Sequence, residues 1–261
     1  MTKRLDRQQF LGEDSDHVLA RSTAAIIGLG GGGSHIAQQL AHLGHGRFLL
    51  FDADRIEDTN LNRLVGATER DVRLGALKVD VAERVIKGVN GNAEVRKYPL
   101  RWQEDHSPLR KCTIVFGCVD RFDERRQLEA YCRRFLIPYI DIGMDIHKLT
   151  DRYAVAGQVI LSMPGEPCMQ CLGFLREDDD EPAYGAAGSK PQVVWPNGLL
   201  ASLAVGLYVG LITPWQPNHR RVEYLEYDGN AQEVRPGIAL QFAPSVCPHY
   251  APDAVGDPFY S

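Results

Sequence analysis

A glycine-rich turn between an apolar strand and a helix constrains the fold of this chain more than any other feature. Residues 24–28 are apolar and predict a strand, whereas 34–43 has a helical pattern that ends before Gly44. The turn between them contains Gly28, Gly30, Gly31 and Gly33. A backbone without Cβ atoms can approach a phosphate closely, and the following helix N-terminus faces the anion. The segment therefore predicts a nucleotide site in a βαβ unit.

Strands and helices continue to alternate over the first 150 residues. Further strands are predicted at 47–51, 94–98, 113–119 and 138–142, and helices at 1–20, 73–89 and 124–135. This order is typical of a doubly wound, Rossmann-like α/β sheet with mostly parallel strands. Residues 1–150 are therefore interpreted as a nucleotide-binding half.

Residues 151–261 have a different pattern. A strand at 155–163 is followed by an acidic, then Gly- and Pro-rich segment at 176–192, which we expect to be a mobile loop. Two polar strands at 221–227 and 232–235 flank Asp228–Gly229, a strong hairpin signal. We expect antiparallel strands added to the same sheet, within a single domain over 1–261. The apolar run 199–212 is interpreted as a buried helix too short to span a membrane.

The composition narrows the class of protein. Of 261 residues, 44% are hydrophobic and 24% charged, and the formal net charge is −5. No basic footprint of a nucleic-acid binder is present, so nucleic acid is not an expected partner. The polar opening residues lack a secretory pattern, and six cysteines without one indicate thiols or a metal site rather than disulfides. We expect a soluble cytoplasmic protein without a membrane partner.

Charged residues that suit a triphosphate follow the glycine turn. Asp52 ends the second predicted strand, where an acid can bind ribose hydroxyls. Arg63 and Lys78 could neutralise phosphate charge, with Asn60 orienting the phosphates. Asp120, at the end of a later strand, could hold Mg²⁺ on phosphate oxygens. A dehydrogenase does not need this set, whereas adenylation by attack on the α-phosphate does.

With these motifs the sequence resembles the ThiF/MoeB/HesA-type adenylyltransferases, relatives of the ubiquitin-activating enzymes, over nearly its whole length. The matching motifs are Arg4-Leu5-Asp6-Arg7-Gln8, Gly28-x-Gly30-Gly31-x-Gly33-Ser34, Asp52-x-Asp54, Asn60-Leu61-Asn62-Arg63, Gly75-x-x-Lys78, Val119-Asp120 and Glu166-Pro167-Cys168-x-x-Cys171. Two positions depart from the family pattern: Leu64 replaces a Gln and Arg121 replaces an Asn. Neither departure removes a charge that the chemistry needs.

The resemblance implies an ATP-dependent enzyme that adenylates the C-terminal carboxylate of a ubiquitin-like β-grasp protein ending in Gly-Gly. It implies a homodimer in which Arg7 reaches the ATP of the other subunit, and catalytic roles for Arg7, Arg63, Lys78 and Asp120. It assigns ATP and Mg²⁺ to Gly28, Gly30, Gly31, Gly33, Asp52, Asp54, Asn60, Arg63, Lys78 and Asp120. The protein substrate and the fate of the adenylate are not identified by the motifs.

The cysteines suggest a second site. Cys168 and Cys171 have the spacing of two zinc ligands, and a tetrahedral site needs two more. The family completes its site with a second Cys-x-x-Cys, and this chain has Cys247-Pro-His249 instead. We therefore predict a Cys₃His zinc site, with His249 as the fourth ligand.

Three other cysteines, Cys112, Cys118 and Cys132, lie in or beside apolar elements and are interpreted as buried. The loop 176–192, where related enzymes with sulfur chemistry often carry a cysteine, has none. We therefore predict that the reaction stops at the acyl-adenylate, without a thioester on this chain.

Several interpretations remain open. Arg125 either supports Asp120 or lies on a solvated helix face, and the segment 195–198 either lines a carboxylate tunnel or packs in the interior. The substrate carboxylate could instead belong to a small molecule, a peptide or a tRNA base. A nicotinamide-dependent oxidoreductase shares the glycine turn and Asp52 but leaves Arg63 and Lys78 unexplained. A non-catalytic scaffold would have no need of these charges.

Overall fold

Eight strands form one sheet in the computed structural model, which describes residues 3–175, 191–216, 223–250 and 255. The strands are β1 (Thr23–Ile27), β2 (Arg47–Phe51), β3 (Glu94–Tyr98), β4 (Ile114–Gly117), β5 (Tyr139–Lys148), β6 (Tyr153–Ser162), β7 (Glu223–Asp228) and β8 (Glu233–Pro236). Their order across the sheet is β3-β2-β1-β4-β5-β6-β7-β8.

The two halves of the sheet differ in strand direction. Strands β3, β2, β1, β4 and β5 are parallel to one another, whereas β6, β7 and β8 each run antiparallel to the strand before them. The hairpin predicted around Asp228–Gly229 joins β7 to β8. The predicted Rossmann-like α/β sheet, parallel first and antiparallel afterwards, is confirmed.

Helices cover both faces of the sheet. They are α1 (Ser15–Arg21), α2 (Gly31–His42), α3 (Glu69–Leu74), α4 (Lys78–Val89), α5 (Phe122–Arg134) and α6 (Val194–Ile212). Short 3₁₀ helices lie at Lys3–Leu11, Asp58–Asn60, Ser107–Lys111 and Ile238–Gln241.

Alternation along the strands separates two hydrophobic cores. Ile26 of β1 packs with Ile36 of α2, in the core that also contains α4 and α6 side chains. Ile27, the next residue, points to the opposite face and packs with Leu128 of α5. Because successive strand side chains point to opposite faces, a fully apolar strand requires helices on both sides.

The prediction of a single helix at 73–89 is wrong, because the chain forms two helices there, α3 and then α4. Gly75 ends α3 with φ +57, a left-handed conformation that glycine adopts at little cost. Leu77 then forms an isolated antiparallel bridge with Arg55 before α4 begins at Lys78. The extended backbone needed for this bridge interrupts the helix.

Helix α6 is longer than the predicted run 199–212. It begins at Val194 and has 19 residues, with a mean hydropathy of 1.5, so by length and composition alone it could cross a membrane. The argument that this segment is too short was therefore wrong. Half of the apolar window is buried within this fold, where α6 packs against α2, β5 and β6. The prediction of a buried helix agrees with this packing.

Two further predictions concern the N-terminal segment 1–20 and the loop 176–192. The helix expected over 1–20 is broken at Gly12, whose φ of +123 separates a 3₁₀ helix from α1. Of the expected loop 176–192, residues 176–190 lie outside the described part of the chain.

Candidate active site

The glycine turn lies at the carboxyl edge of the parallel strands, between β1 and α2. Gly28 has φ +87, and a Cβ there would lie 2.5 Å from the carbonyl oxygen of Cys118. A Cβ on Gly33 would collide with the carbonyl oxygen of Gly28. A Cβ built on Gly30 meets no atom within 4 Å. α2 begins at Gly31, before the predicted residue 34, so its N-terminus opens onto the cleft described next.

A cleft of about 330 Å³ lies in front of this turn. It brings together most of the residues assigned to ATP from the sequence. Those lining it are Gly28, Gly30, Gly31, Asp52, Asp54, Asn60, Arg63, Lys78 and Asp120. Gly33, in the first turn of α2, does not line the cleft. Arg7 is exposed on the N-terminal 3₁₀ helix and does not line the cleft of its own chain.

Asp52 is held rigidly at the end of β2. Its Oδ2 accepts a hydrogen bond from the Leu29 N–H at 2.7 Å, and its Oδ1 accepts one from the Asp54 N–H at 2.9 Å. Burial raises the pKa of this carboxyl, and the nearby Lys78 ammonium opposes the rise. A fixed carboxylate at this place can accept hydrogen bonds from a hydroxylated ligand.

Lys78 is the first residue of α4 rather than a residue within a longer helix. Its Nζ lies 2.7 Å from Asp54 Oδ2 and 3.8 Å from Asp52 Oδ1, and its side chain is only 12% exposed. The ammonium is therefore fixed at the cleft wall by two carboxylates. The side chain of Asp54 is 70% exposed and can yield its contact to an incoming anion.

Asn60 and Arg63 enter the cleft from the 3₁₀ turn after β2. Asn60 Oδ1 accepts a hydrogen bond from the Glu57 N–H at 3.0 Å and completes a capping box. Arg63 Nη1 donates to the Thr59 carbonyl at 2.6 Å and to Asn62 Oδ1 at 3.0 Å. These bonds orient the guanidinium at the cleft before a ligand arrives.

Arg125 does not lie on a solvated helix face, which was the second of its two sequence interpretations. It is 2% exposed, forms an ion pair with the buried Asp141, and donates from Nη2 to the Val119 carbonyl at 2.6 Å. Burial raises the pKa of Asp141 to about 6, and Arg125 opposes the rise. Arg125 thus anchors the backbone that leads into the exposed Asp120, which is a form of the support for Asp120 that the first interpretation expected.

The four predicted metal ligands lie together away from the cleft. The ligand atoms of Cys168, Cys171, Cys247 and His249 all lie within 4.8 Å of one another. The Cys168–Cys171 and Cys171–Cys247 sulfurs are 3.6 and 3.7 Å apart. Tetrahedral zinc with bonds of about 2.3 Å would separate two sulfurs by about 3.8 Å. The residues therefore fit a tetrahedral metal ion.

The remaining cysteines are poorly placed for nucleophilic chemistry. Burial raises the pKa of the Cys112 thiol to about 12, and it also raises the pKa of the Cys118 and Cys132 thiols. A thiol must ionise to attack a carbonyl. Cys118 lines the cleft but is confined beside Gly28. The absence of a thioester on this chain stays a prediction.

Comparison with known proteins identifies the family. The model of the ThiF family matches residues 3–247. This chain belongs to the ThiF family. The ubiquitin-like modifier-activating enzyme 5 of Rattus norvegicus is 31% identical over 184 residues, which cover 64% of this chain and 43% of that protein. The enzyme of the same name from Oryza sativa is 28% identical over 207 residues, covering 72% and 45%. The ThiF-family chain thus spans less than half the length of these relatives.

Solved structures support the same fold. The E. coli MccB structure with ATP aligns with a TM-score of 0.74 at 22% identity, covering 98% of the ThiF-family chain and 75% of MccB. The selenomethionine PaaA structure aligns with a TM-score of 0.70 at 22% identity, covering 90% and 81%. At this identity the likeness concerns the fold alone.

The sequence missed several residues that line the cleft of this ThiF-family chain. They are Leu100, Arg101, Trp102, Glu124, Ile142, Gly143, Met144 and Gln192. From the segment 195–198, Asn197 lines the cleft and packs against Gly31, whereas Trp195 is 56% exposed. The buried ion pair of Asp141 could have been predicted from the sequence, because an acid within an apolar strand requires a buried partner.

Proposed function

We propose that this chain uses MgATP to adenylate the C-terminal carboxylate of a ubiquitin-like protein that ends in Gly-Gly, releasing pyrophosphate. The convergence of a helix N-terminus, Asp52, Arg63 and Lys78 on one cleft carries the proposal. Similarity to ubiquitin-like modifier-activating enzymes supports it.

The residues have separate roles in this proposal. Asp52 binds the ribose hydroxyls, while Gly30 and the start of α2 approach the phosphates. Arg63 and Lys78 stabilise the negative charge that develops on the phosphates. Asp120 holds Mg²⁺, a hard cation that prefers oxygen ligands.

The reaction needs no general base on the enzyme. An α-carboxyl group has a pKa of about 3.5 and is already ionised near neutral pH. One carboxylate oxygen attacks the α-phosphorus, and the bond from that phosphorus to the bridging oxygen breaks. Pyrophosphate leaves with the electron pair, and the acyl-adenylate remains.

A peptide or small-molecule carboxylate is the second candidate substrate. It is supported by the likeness in fold to MccB, which has been solved in complex with N-formylated MccA. An oxidoreductase or a scaffold explains less, because neither needs Arg63, Lys78 and Asp120 in one cleft.

Two further features of the enzyme are its assembly and its metal site. We propose a homodimer in which Arg7 completes the partner's cleft, supported by its exposure outside its own cleft. We propose zinc at Cys168, Cys171, Cys247 and His249, supported by their spacing. A cytoplasmic location would keep these thiols reduced.

ATP–pyrophosphate exchange tests the central proposal. We expect exchange only in the presence of a small β-grasp protein ending in Gly-Gly, and none with the same protein lacking its last two glycines. Exchange with short peptides but not with any β-grasp protein would favour the second candidate. ATP binding without exchange for either class would contradict adenylation of such carboxylates.

A further inference from the structure

A buried acid–base pair on α5 contacts the segments that carry the candidate metal ligands. Glu129 is 1% exposed and Arg133 is 5% exposed, and Ser162 of β6 lies between them at 1% exposure. They lie outside the nucleotide cleft, and the proposed reaction does not use them. Burying a charged pair costs free energy, so each of the two charged groups needs further hydrogen-bond partners.

Arg133 reaches both sides of the metal site. Its Nη1 donates to the Glu166 carbonyl at 2.8 Å and its Nη2 donates to the Pro167 carbonyl at 2.9 Å, directly before Cys168. Its guanidinium carbon lies 5.1 Å from the ring centroid of Tyr250, directly after His249. One side chain therefore joins two ligand segments about 80 residues apart in sequence.

Glu129 fixes the turn between the first two ligands. Its Oε1 accepts a hydrogen bond from the Met169 N–H at 2.8 Å and another from the Ser162 hydroxyl at 2.5 Å. Arg133 Nε lies 3.4 Å from the same oxygen and donates to Ser162 Oγ at 3.2 Å. The pair thus ties the backbone on both sides of Cys168 to the helix.

We propose that Arg133, supported by Glu129, is a positioning residue for the Cys₃His metal centre. This inference rests on the proposed metal site. Groups beyond the ligands fix the orientation of the ligands at metal sites. Arg133 and Glu129 together bind the backbone on both sides of Cys168. The planar fork of arginine spans two carbonyls and a hydroxyl at once, whereas a lysine ammonium cannot hold all three in this geometry.

Competition with a chromophoric zinc chelator tests the proposal on the full chain. We expect Arg133→Lys to weaken zinc affinity about 10- to 100-fold, the usual effect of removing a group that orients metal ligands. The matched control is Arg96→Lys, which changes an exposed pair with Glu94 at 2.8 Å and leaves zinc affinity unchanged. Equal affinity in Arg133→Lys and the unsubstituted protein overturns the proposal.

Thermal unfolding separates positioning from general packing. Positioning predicts that Arg133→Lys narrows the difference in Tm between the zinc-loaded and metal-free forms, whereas a packing defect lowers both Tm values equally and overturns the proposal. If Arg133→Lys does not fold, Glu129→Gln keeps the side-chain shape and is measured in the same way. An unchanged zinc affinity in Glu129→Gln then overturns the proposal. Unsubstituted protein that binds no zinc instead refutes the metal site itself.

Discussion

Lys78 combines two functions in a single side chain. Its ammonium offsets the charge of the buried Asp52 carboxylate, and it presents a cation to the cleft. A cation already fixed by neighbours needs no reorganisation when phosphate charge develops. Its place in the cleft distinguishes Lys78 from Lys97, which is also paired with two carboxylates but lies outside the cleft.

We expect Lys78→Ala to lower the rate of ATP–pyrophosphate exchange by about 10²- to 10³-fold, because one fixed donor to developing charge is lost. The measurement is exchange at saturating ATP. The control is Lys97→Ala, which removes a lysine paired with Asp80 and Glu83 outside the cleft. Exchange near the unsubstituted rate in Lys78→Ala would contradict the site assignment.

Asp120 is the residue of the cleft that we propose as the magnesium ligand. Asp120→Asn removes the charge proposed to hold Mg²⁺ but keeps the size of the side chain. We expect the Mg²⁺ concentration for half-maximal exchange to rise at least about tenfold, because magnesium binds carboxylates far better than amides. The control is Asp80→Asn, which changes a pair with Lys97 outside the cleft. A magnesium titration unchanged by Asp120→Asn would rule out this role.

At the scale of elements, the break between α3 and α4 places Lys78 at a helix start. Thr68 and Asp71 form a capping box at the start of α3. Asp71 also pairs with Arg84 of α4, with both oxygens 2.7 Å from guanidinium nitrogens. These bonds hold α3 against α4 on either side of the break.

Asp71→Asn should destabilise the fold by about 1–3 kcal/mol at pH 7, because a charged hydrogen bond is lost. The hydrogen bond from Arg84 lowers the pKa of Asp71 well below its usual range. Its stabilisation is therefore present above the ordinary carboxyl pKa and is lost as the pH falls below it. We expect urea unfolding to show a smaller loss of stability between pH 5 and pH 2 in Asp71→Asn.

Glu69→Gln provides the control for this prediction. Glu69 pairs with Arg73 at 3.6 Å, but its side chain is 83% exposed. Exposed pairs contribute about 0–1 kcal/mol, so both its stability and its pH dependence should match the unsubstituted protein. The same pH dependence in Asp71→Asn and the unsubstituted protein would exclude Asp71 as its source.

At the scale of the whole molecule, the nucleotide cleft and the four candidate metal ligands lie at separate places around one sheet. The cleft is formed by the carboxyl ends of the parallel strands, whereas the metal ligands follow β6 and β8. Arg7 lies outside the cleft, so a role for it in catalysis needs a second copy of the chain.

Co-expression of two inactive variants tests that role. If Arg7 acts on the partner's ATP, mixed dimers of Arg7→Ala and Lys78→Ala contain one complete site. Random pairing then restores about one quarter of the unsubstituted exchange activity. A lack of recovery, although mixed dimers are isolated by two affinity tags, would exclude this role of Arg7 at the partner's ATP.

Local patterns predicted most of the elements. The strands at 47–51 and 94–98 were predicted at their observed bounds, because apolar or alternating runs bounded by turn residues have few other interpretations. The helix break at Gly75 was missed, since the bridge between Arg55 and Leu77 that requires it joins residues far apart in sequence. The length of α6 was missed because Pro196 and Gly198 resemble a turn.

The sequence by itself determined the order of the elements, the two-sided sheet and the residue types of the cleft. These follow from side-chain periodicity and from backbone conformations that only glycine adopts easily. The tertiary structure alone decided that Arg125 pairs with Asp141, that Asn197 faces Gly31, and that Arg133 joins both metal-ligand segments. These contacts depend on how strands and helices pack across the sheet. A local sequence pattern cannot predict them, because it does not specify which residues meet in space.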